Sequence, residues 1–383
     1  MIRPQVRSEE KISCVIPTYN RCPGSGEDVK YNPPWWAANS LFRQSNIGEI
    51  VFVDDCSDDY FDETIERIRD AAPAGVSVIS LRNERRLGLG KSRNRGVGSA
   101  TNNHLFFMDD DCIIVSPDVL PKLKYAYDYQ KRHGIRIGAM NLPVSGNNLE
   151  SEICSSSEIG RVDRNTGEMH GCYTKIPEEY LSESDYMFID ESRGILRPLE
   201  VEFTGAVFIC EGQTFDEAGG FPTPPWKNAL TEDSQFIMNM RSRGYKAFYL
   251  PSLDRKFRVF HCRYGDPCFT RIPYDIEVDG VSFNHILEQS AVARKNTGCR
   301  VDREQELNNN VVAQMFFLWK YYGEEFALMN LKTKHLSMLN GEFYTDVDGR
   351  HEIFNHAVRE GLDLIRGEGI PVSQAAERYL GRF

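Results

Sequence analysis

Hydrophobic positions in the first 115 residues fall into short runs separated by polar turns. Lys11–Ile16, Glu49–Val53, Val76–Leu81 and His104–Met108 each read as a strand. Between them, Pro33–Phe42 reads as a helix with proline in its first turn. Phe61, Ile65, Ile68 and Ala72 mark a second helix, for which Ser57 is the expected N-cap, with Asp58 and Asp59 complementing the dipole. This alternation predicts a parallel α/β sheet. Pro17 cannot donate to a sheet ladder, so the chain is expected to leave the sheet there.

The pattern changes twice further on. The segment 141–199 is long and irregular, with a hairpin expected around Asn165-Thr166-Gly167. From Ser282 onward the chain turns to helix-forming segments: Phe283–Lys295, Glu304–Leu339, His351–Arg366 and Ser373–Leu380. Val311–Tyr322 is apolar over most of its circumference and must be buried against something. Packing on the preceding domain, a homodimer through these helices, and contact with a membrane surface are all open.

Composition narrows the classes. With 383 residues, 41% hydrophobic and 26% charged, the chain has the makeup of a globular protein too long for one simple core. A net charge of -11 without a dense basic cluster argues against nucleic acid as a partner. The ten cysteines are scattered and form no Cys-x-x-Cys pair. There is no signal-peptide pattern and no apolar run of about 20 residues. A cytoplasmic protein with reduced thiols is expected, and peripheral docking at the inner face of a membrane stays open.

The candidate chemistry lies at the strand ends. Tyr19 and Asn20 follow the first strand, Asp54 and Asp55 the second, and Asp109-Asp110-Asp111 the fourth. In α/β sheets the loops at the strands' C-terminal ends hold ligands. Crowded carboxylates there suit Mg²⁺ or Mn²⁺, whose shell substrate phosphates can complete. The stretch Gly88-Leu89-Gly90-Lys91 to Arg93 opens a helix and suits close approach to phosphate, although the Walker spacing is absent. Trp35 and Trp36 are open to two readings, a stacking platform or one core ring beside a half-exposed one. Glu232 and Asp233 fall in the first turn of a further helix, where dipole stabilisation accounts for both; a carboxylate there can also serve as a general base.

Taken together, Val15–Asn20, Val53–Asp59, Asn83–Gly96, Phe107–Asp111, Phe203–Ala206, Ala218–Phe221 and Thr231–Phe236 resemble the family 2 glycosyltransferases. The resemblance spans roughly residues 11 to 262. It implies a GT-A fold, Rossmann-like with helices on both faces of a mostly parallel sheet, followed by a helical C-terminal extension. The catalytic domain would occupy 1–281, with a nucleotide-sugar half at 11–115 and an acceptor half at 116–281, and the helical region 282–383. A UDP-sugar would be the donor, Mn²⁺ or Mg²⁺ the cofactor, and inversion the outcome. Pro17, Tyr19 and Asp55 would hold the base with Arg93 nearby, Lys91 the diphosphate, and Asp109 and Asp110 the ribose. Asp111 and His261 would ligate the metal, and Asp233 would be the general base supported by Glu232. Thr204, Gly205 and Trp226 fall on the acceptor side. The acceptor is left open among a glycan, a lipid-linked acceptor, a protein and a small metabolite.

Two other classes stay in view. A sugar-phosphate nucleotidyltransferase would want a Gly-rich basic loop directly after the first strand, where this chain has Pro17-Thr18-Tyr19-Asn20. A non-catalytic binding or assembly protein on the same scaffold is the other.

Overall fold

The structure is a computed structural model. It describes residues 8–145 except 115, 197–223 except 206, 231–252, 256–261, 303–340 and 347–383, with isolated short segments between them. Ten strands matter here. They are β1 (Ser8–Thr18), β2 (Ile47–Asp54), β3 (Ser77–Arg82), β4 (Asn102–Phe107) and β5 (Cys112–Ile114). After them come β6 (Ile137–Asn141), β7 (Leu199–Val201), β8 (Phe208–Glu211), β9 (Lys246–Tyr249) and β10 (Val259–His261). Eight form one sheet, in the order β7-β9-β6-β8-β4-β1-β2-β3. Neighbours β3, β2, β1 and β4 are parallel, as are β6 and β9, whereas β8 and the edge strand β7 run antiparallel to their neighbours. The mostly parallel α/β sheet expected from the sequence is therefore observed.

Period-two alternation puts each strand's side chains into two cores. Ile12, Cys14 and Ile16 of β1 face one core, which α1 (Pro33–Phe42), α2 (Phe61–Ala71) and α4 (Val119–Arg132) cover. Val15 faces the other, closed by α3 (Leu89–Ser99), α5 (Gly212–Ala218) and α6 (Glu232–Ser242). Trp35 and Trp36 both join the first core, and Trp36 Nε1 donates to the Lys30 carbonyl at 2.9 Å. Neither ring is a half-exposed platform.

The second core extends into the C-terminal helices α7 (Arg303–Tyr322), α8 (Glu324–Leu339), α9 (Arg350–Gly367) and α10 (Gln374–Leu380). The apolar circumference of α7 is spent inside this chain: Val311, Val312, Phe317 and Leu318 are fully buried, and Tyr321 donates to Asn239 of α6 at 2.8 Å. Each such large apolar side chain contributes roughly 1.5–3 kcal/mol relative to exposure. The single helix expected over Glu304–Leu339 is two, because Gly323 at φ +95° turns the chain between them. The helices expected at 351–366 and 373–380 are present, the latter capped by Ser373 Oγ accepting from Ala376 N at 3.1 Å. The segment 283–295 lies almost entirely outside the described residues. No helix among the described residues is long and apolar enough to cross a membrane.

Other local expectations change. β1 does not stop at Pro17: its pairing with β4 ends at Val15, but pairing with β2 continues to Thr18 opposite Asp54. A strand with one remaining neighbour tolerates the lost donor. Ser57 does not cap α2, whose acidic first turn is Asp62 and Glu63. Ser57 instead donates from N to Asp54 Oδ1 at 3.0 Å, and Asp59 accepts from Cys22 N at 2.7 Å. In the irregular segment, Ile159–Val162 pairs antiparallel with Met169–His170, as the hairpin reading requires, while its turn at 163–168 lies outside the described residues.

Candidate active site

Because β1, β2 and β4 are adjacent and parallel, their C-terminal ends open onto one rim. A cleft of about 320 Å³ lies there, within the range of small-ligand sites. Pro17, Thr18, Tyr19 and Arg21 line it from β1, and Asp55 from β2. Asp109, Asp110 and Asp111 line it after β4, and His261 at the end of β10. Arg86 and Gly88 close it from the loop before α3, and Leu89 from the helix's first position.

The metal-ligand candidates are brought together by a small separate sheet. β10 pairs antiparallel with β5, His261 opposite Cys112. This register sets His261 Nε2 3.2 Å from Asp111 Oδ1. Two ligand atoms in adjacent positions of an octahedral ion with bonds of about 2.1 Å lie about 3.0 Å apart, so the pair fits Mg²⁺ or Mn²⁺. Asp110, beside them, is buried, and burial together with the Asp111 charge raises its pKa to about 7 against the opposing pull of Arg21.

Asp55 and Asp54 have different surroundings. Asp55 accepts from Asn83 Nδ2 at 2.8 Å, Leu87 N at 2.7 Å and Gly88 N at 2.8 Å. Its carboxylate is thus held by loop N–H groups just before α3, which begins at Leu89. Asp54 is fully buried and paired with Arg82 Nε at 2.8 Å, a structural role. Tyr19 lies under the Arg86 guanidinium, 4.2 Å from ring centroid to Cζ.

Lys91, Arg93, Thr204, Gly205, Glu232 and Asp233 do not line the cleft. Lys91 is exposed on α3. Gly90 serves packing: a Cβ there would meet the Pro222 carbonyl oxygen at 2.5 Å. Arg93 is 1% exposed and lies beneath the cleft, donating to Asp109 at 2.7 Å and to Glu232. Burial works against its charge, yet Asp109, Glu232 and Asp233 outweigh that and raise its pKa above the usual arginine value. Burial conversely pushes the Glu232 carboxyl up, with Arg93 opposing. Asp233, half-buried in the first turn of α6, accepts from Ser234 N at 2.7 Å. Thr231, just before it, takes a left-handed φ of +74°, strained for a β-branched residue. Thr204 is buried, Gly205 half-buried, and Trp226 lies outside the described residues.

The sequence reading missed Arg21 and Arg86, which among the described residues line the cleft as cations. The signal was present in their placement directly after a strand-end loop and before the glycines, but charged loop residues are common. A second cluster, His104, Asp128 and Glu211, is neutralised by Lys124 on Asp128 at 2.6 Å and Lys131 on Glu211 at 2.6 Å.

Residues 13–135, about a third of the chain, match the family model described as Glycosyl transferase family 2. Similar solved structures include S. aureus TarS 1–349 in complex with UDP-GlcNAc, at 16% identity over 94% of this chain and 82% of that one, TM-score 0.49. A mannosyltransferase, PcManGT from Pyrobaculum calidifontis, in complex with GDP-Man and Mn²⁺, is 13% identical over 99% and 86%, TM-score 0.46. GalNAc-T7 with UDP, GalNAc and Mn²⁺ is 19% identical, covering 66% of this chain but only 43% of that longer one, TM-score 0.46.

Proposed function

We propose that the protein is a glycosyltransferase that moves a sugar from a nucleotide-sugar, a UDP-sugar in the first instance, to an acceptor hydroxyl with inversion. The observation that carries this is the convergence of three parallel strand ends on one acidic cleft, within a segment that matches the glycosyl transferase family 2 model. Tyr19 offers a ring face to the base, with Pro17 and the partly satisfied Asp55 carboxylate beside it. Asp109 and Asp110 border the ribose position, and Asp111 with His261 would hold Mn²⁺ or Mg²⁺. A divalent cation held there supplies counter-charge and Lewis acidity to the departing diphosphate.

Asp233 is the general base in this reading, and Glu232 keeps its helix start in place through Arg93. As the acceptor oxygen bonds to the anomeric carbon, that carbon's bond to the phosphate oxygen breaks, and the acceptor's proton passes to Asp233. The helices α7 to α10 are the support of the acceptor half, since α7 shares a core with α6.

The test is an incubation with a panel of nucleotide-sugars and Mn²⁺, following release of free nucleoside diphosphate. Asp233→Asn should fold normally, bind UDP with unchanged affinity and lose turnover. Retained turnover removes Asp233 from the base role, and pyrophosphate formation from UTP and a sugar phosphate would favour a nucleotidyltransferase instead.

A further inference from the structure

Tyr19 enters the cleft from the loop after β1 and Arg86 from the loop after β3, and the guanidinium lies over the ring at 4.2 Å. Asp55, Asp109, Asp110 and Asp111 line the same cleft, yet among the described residues the tyrosine ring is the partner that Arg86 takes. Arginine can do this because its planar, weakly hydrated head group stacks on aromatic faces as readily as it pairs with acids. An exposed contact of this kind is weak, so a planar ligand can open it.

The main chain on either side of the contact is pinned. Asp55 N donates to the Thr18 carbonyl at 2.9 Å and Asn20 N to Ser57 Oγ at 2.8 Å, one residue before and one after Tyr19. Leu87 N, next to Arg86, donates to Asp55 at 2.7 Å, and Asn83 N at the start of that loop donates to the Asp54 carbonyl at 2.8 Å. Asp55 thus ties both loops together and holds the root of the arginine at a fixed distance from the ring. Tyr19 is half-buried, whereas Arg86 is exposed and its long side chain can swing.

We infer that Arg86 is the second jaw of a nucleobase clamp. It lifts from the Tyr19 ring by about one ring thickness and closes on the far face of the base, which then lies between the phenol and guanidinium planes with Asp55 at its edge. This rests on the proposed nucleotide-sugar site and extends it from one stacking partner to two. Every base has a π face, so the clamp adds affinity without choosing among bases, and the choice stays with the edge contacts.

The measurement is calorimetric titration of the full chain, at one fixed Mn²⁺ concentration, with UDP and with 5,6-dihydrouridine diphosphate. The second ligand keeps the diphosphate, the ribose and the imide edge, but its base ring is puckered and not aromatic. Arg86→Ala, at an exposed position, should melt like wild type and bind UDP about tenfold more weakly. Its affinity for the dihydro ligand should change by no more than about twofold, since little stacking is there to lose. Arg86→Lys keeps the charge without the plane, so with UDP it should lie closer to Arg86→Ala than to wild type. Should Arg86→Ala melt lower, Arg86→Lys carries the comparison alone. Equal weakening toward both ligands, or full UDP affinity in Arg86→Lys, would assign Arg86 to the diphosphate and overturn the clamp. Unchanged UDP affinity in Arg86→Ala, with wild type binding UDP, overturns the clamp and leaves the nucleotide site standing. If wild type binds neither ligand, the UDP site falls and the clamp with it.

Discussion

Arg93 reaches up from α3 to donate to Asp109 at the end of β4, 2.7 Å away, while its other arm holds Glu232 at the start of α6. One buried guanidinium therefore fixes the donor-side triplet and the acceptor-side helix relative to each other. Among the described residues Arg93 Nε and Glu232 Oε2 are buried without a hydrogen-bond partner, so the pair is under-satisfied and depends on its Coulomb attraction. Arg93→Met should lower stability by about 3–5 kcal/mol, since it strands the Glu232 carboxylate. The double change Arg93→Met with Glu232→Met should recover most of the loss. Urea midpoints of the two variants decide this, and a double variant as unstable as the single would mean that packing rather than charge is at stake.

Asp55 holds the loop before α3 by accepting from Leu87 and Gly88. Asp55→Ala leaves both N–H groups without their acceptor and should cost about 1–3 kcal/mol. Hydrogen exchange at Leu87 and Gly88 should accelerate. Unaltered protection there would mean that the loop is held by other contacts.

At Gly90 two effects oppose each other. Alanine favours a helix over glycine by at most about 1 kcal/mol. A Cβ 2.5 Å from the Pro222 carbonyl is an overlap with backbone, and overpacking of that kind costs about 1–3 kcal/mol. Gly90→Ala should therefore be destabilising in chemical denaturation. A stabilised variant would show that the segment at Pro222 can yield.

Asp111 and His261 are 3.2 Å apart in a geometry suited to one cation. A thermal-shift series with Mn²⁺ should raise the melting temperature of wild type through binding to the native state, and chelation should reverse it. Asp111→Ala should abolish the shift, and His261→Ala should reduce it. Equal shifts in all three proteins would place the ion elsewhere.

Much of this architecture was legible locally. The alternation of Ile12, Cys14 and Ile16 against Val15 announces a strand with both faces covered, and α7, apolar over most of its circumference, announces burial. The acids at the ends of β2 and β4 mark the rim because strand direction follows from strand–helix alternation. Ser57 and Trp35 were misread for a shared reason: a serine before a helix and an aromatic beside a loop have several partners available, and the choice among them is made by groups distant in the chain. Ser57 pairs with Asp54 and Asn20, and Trp35 packs into the core beneath α1.

The sequence by itself determined which residues are buried and where polar chemistry leaves the sheet, since periodicities of 2 and 3.6 are properties of consecutive positions. Tertiary structure alone decided the pairings that make the site. Register between β5 and β10, 145 or more positions apart, sets His261 on Asp111. The fixed turn around Asn20 aims Arg21 at the aspartates, and the packing of α3 against Pro222 buries Arg93 where two halves of the molecule meet. Such contacts follow from how strands and helices stack, which no local pattern encodes.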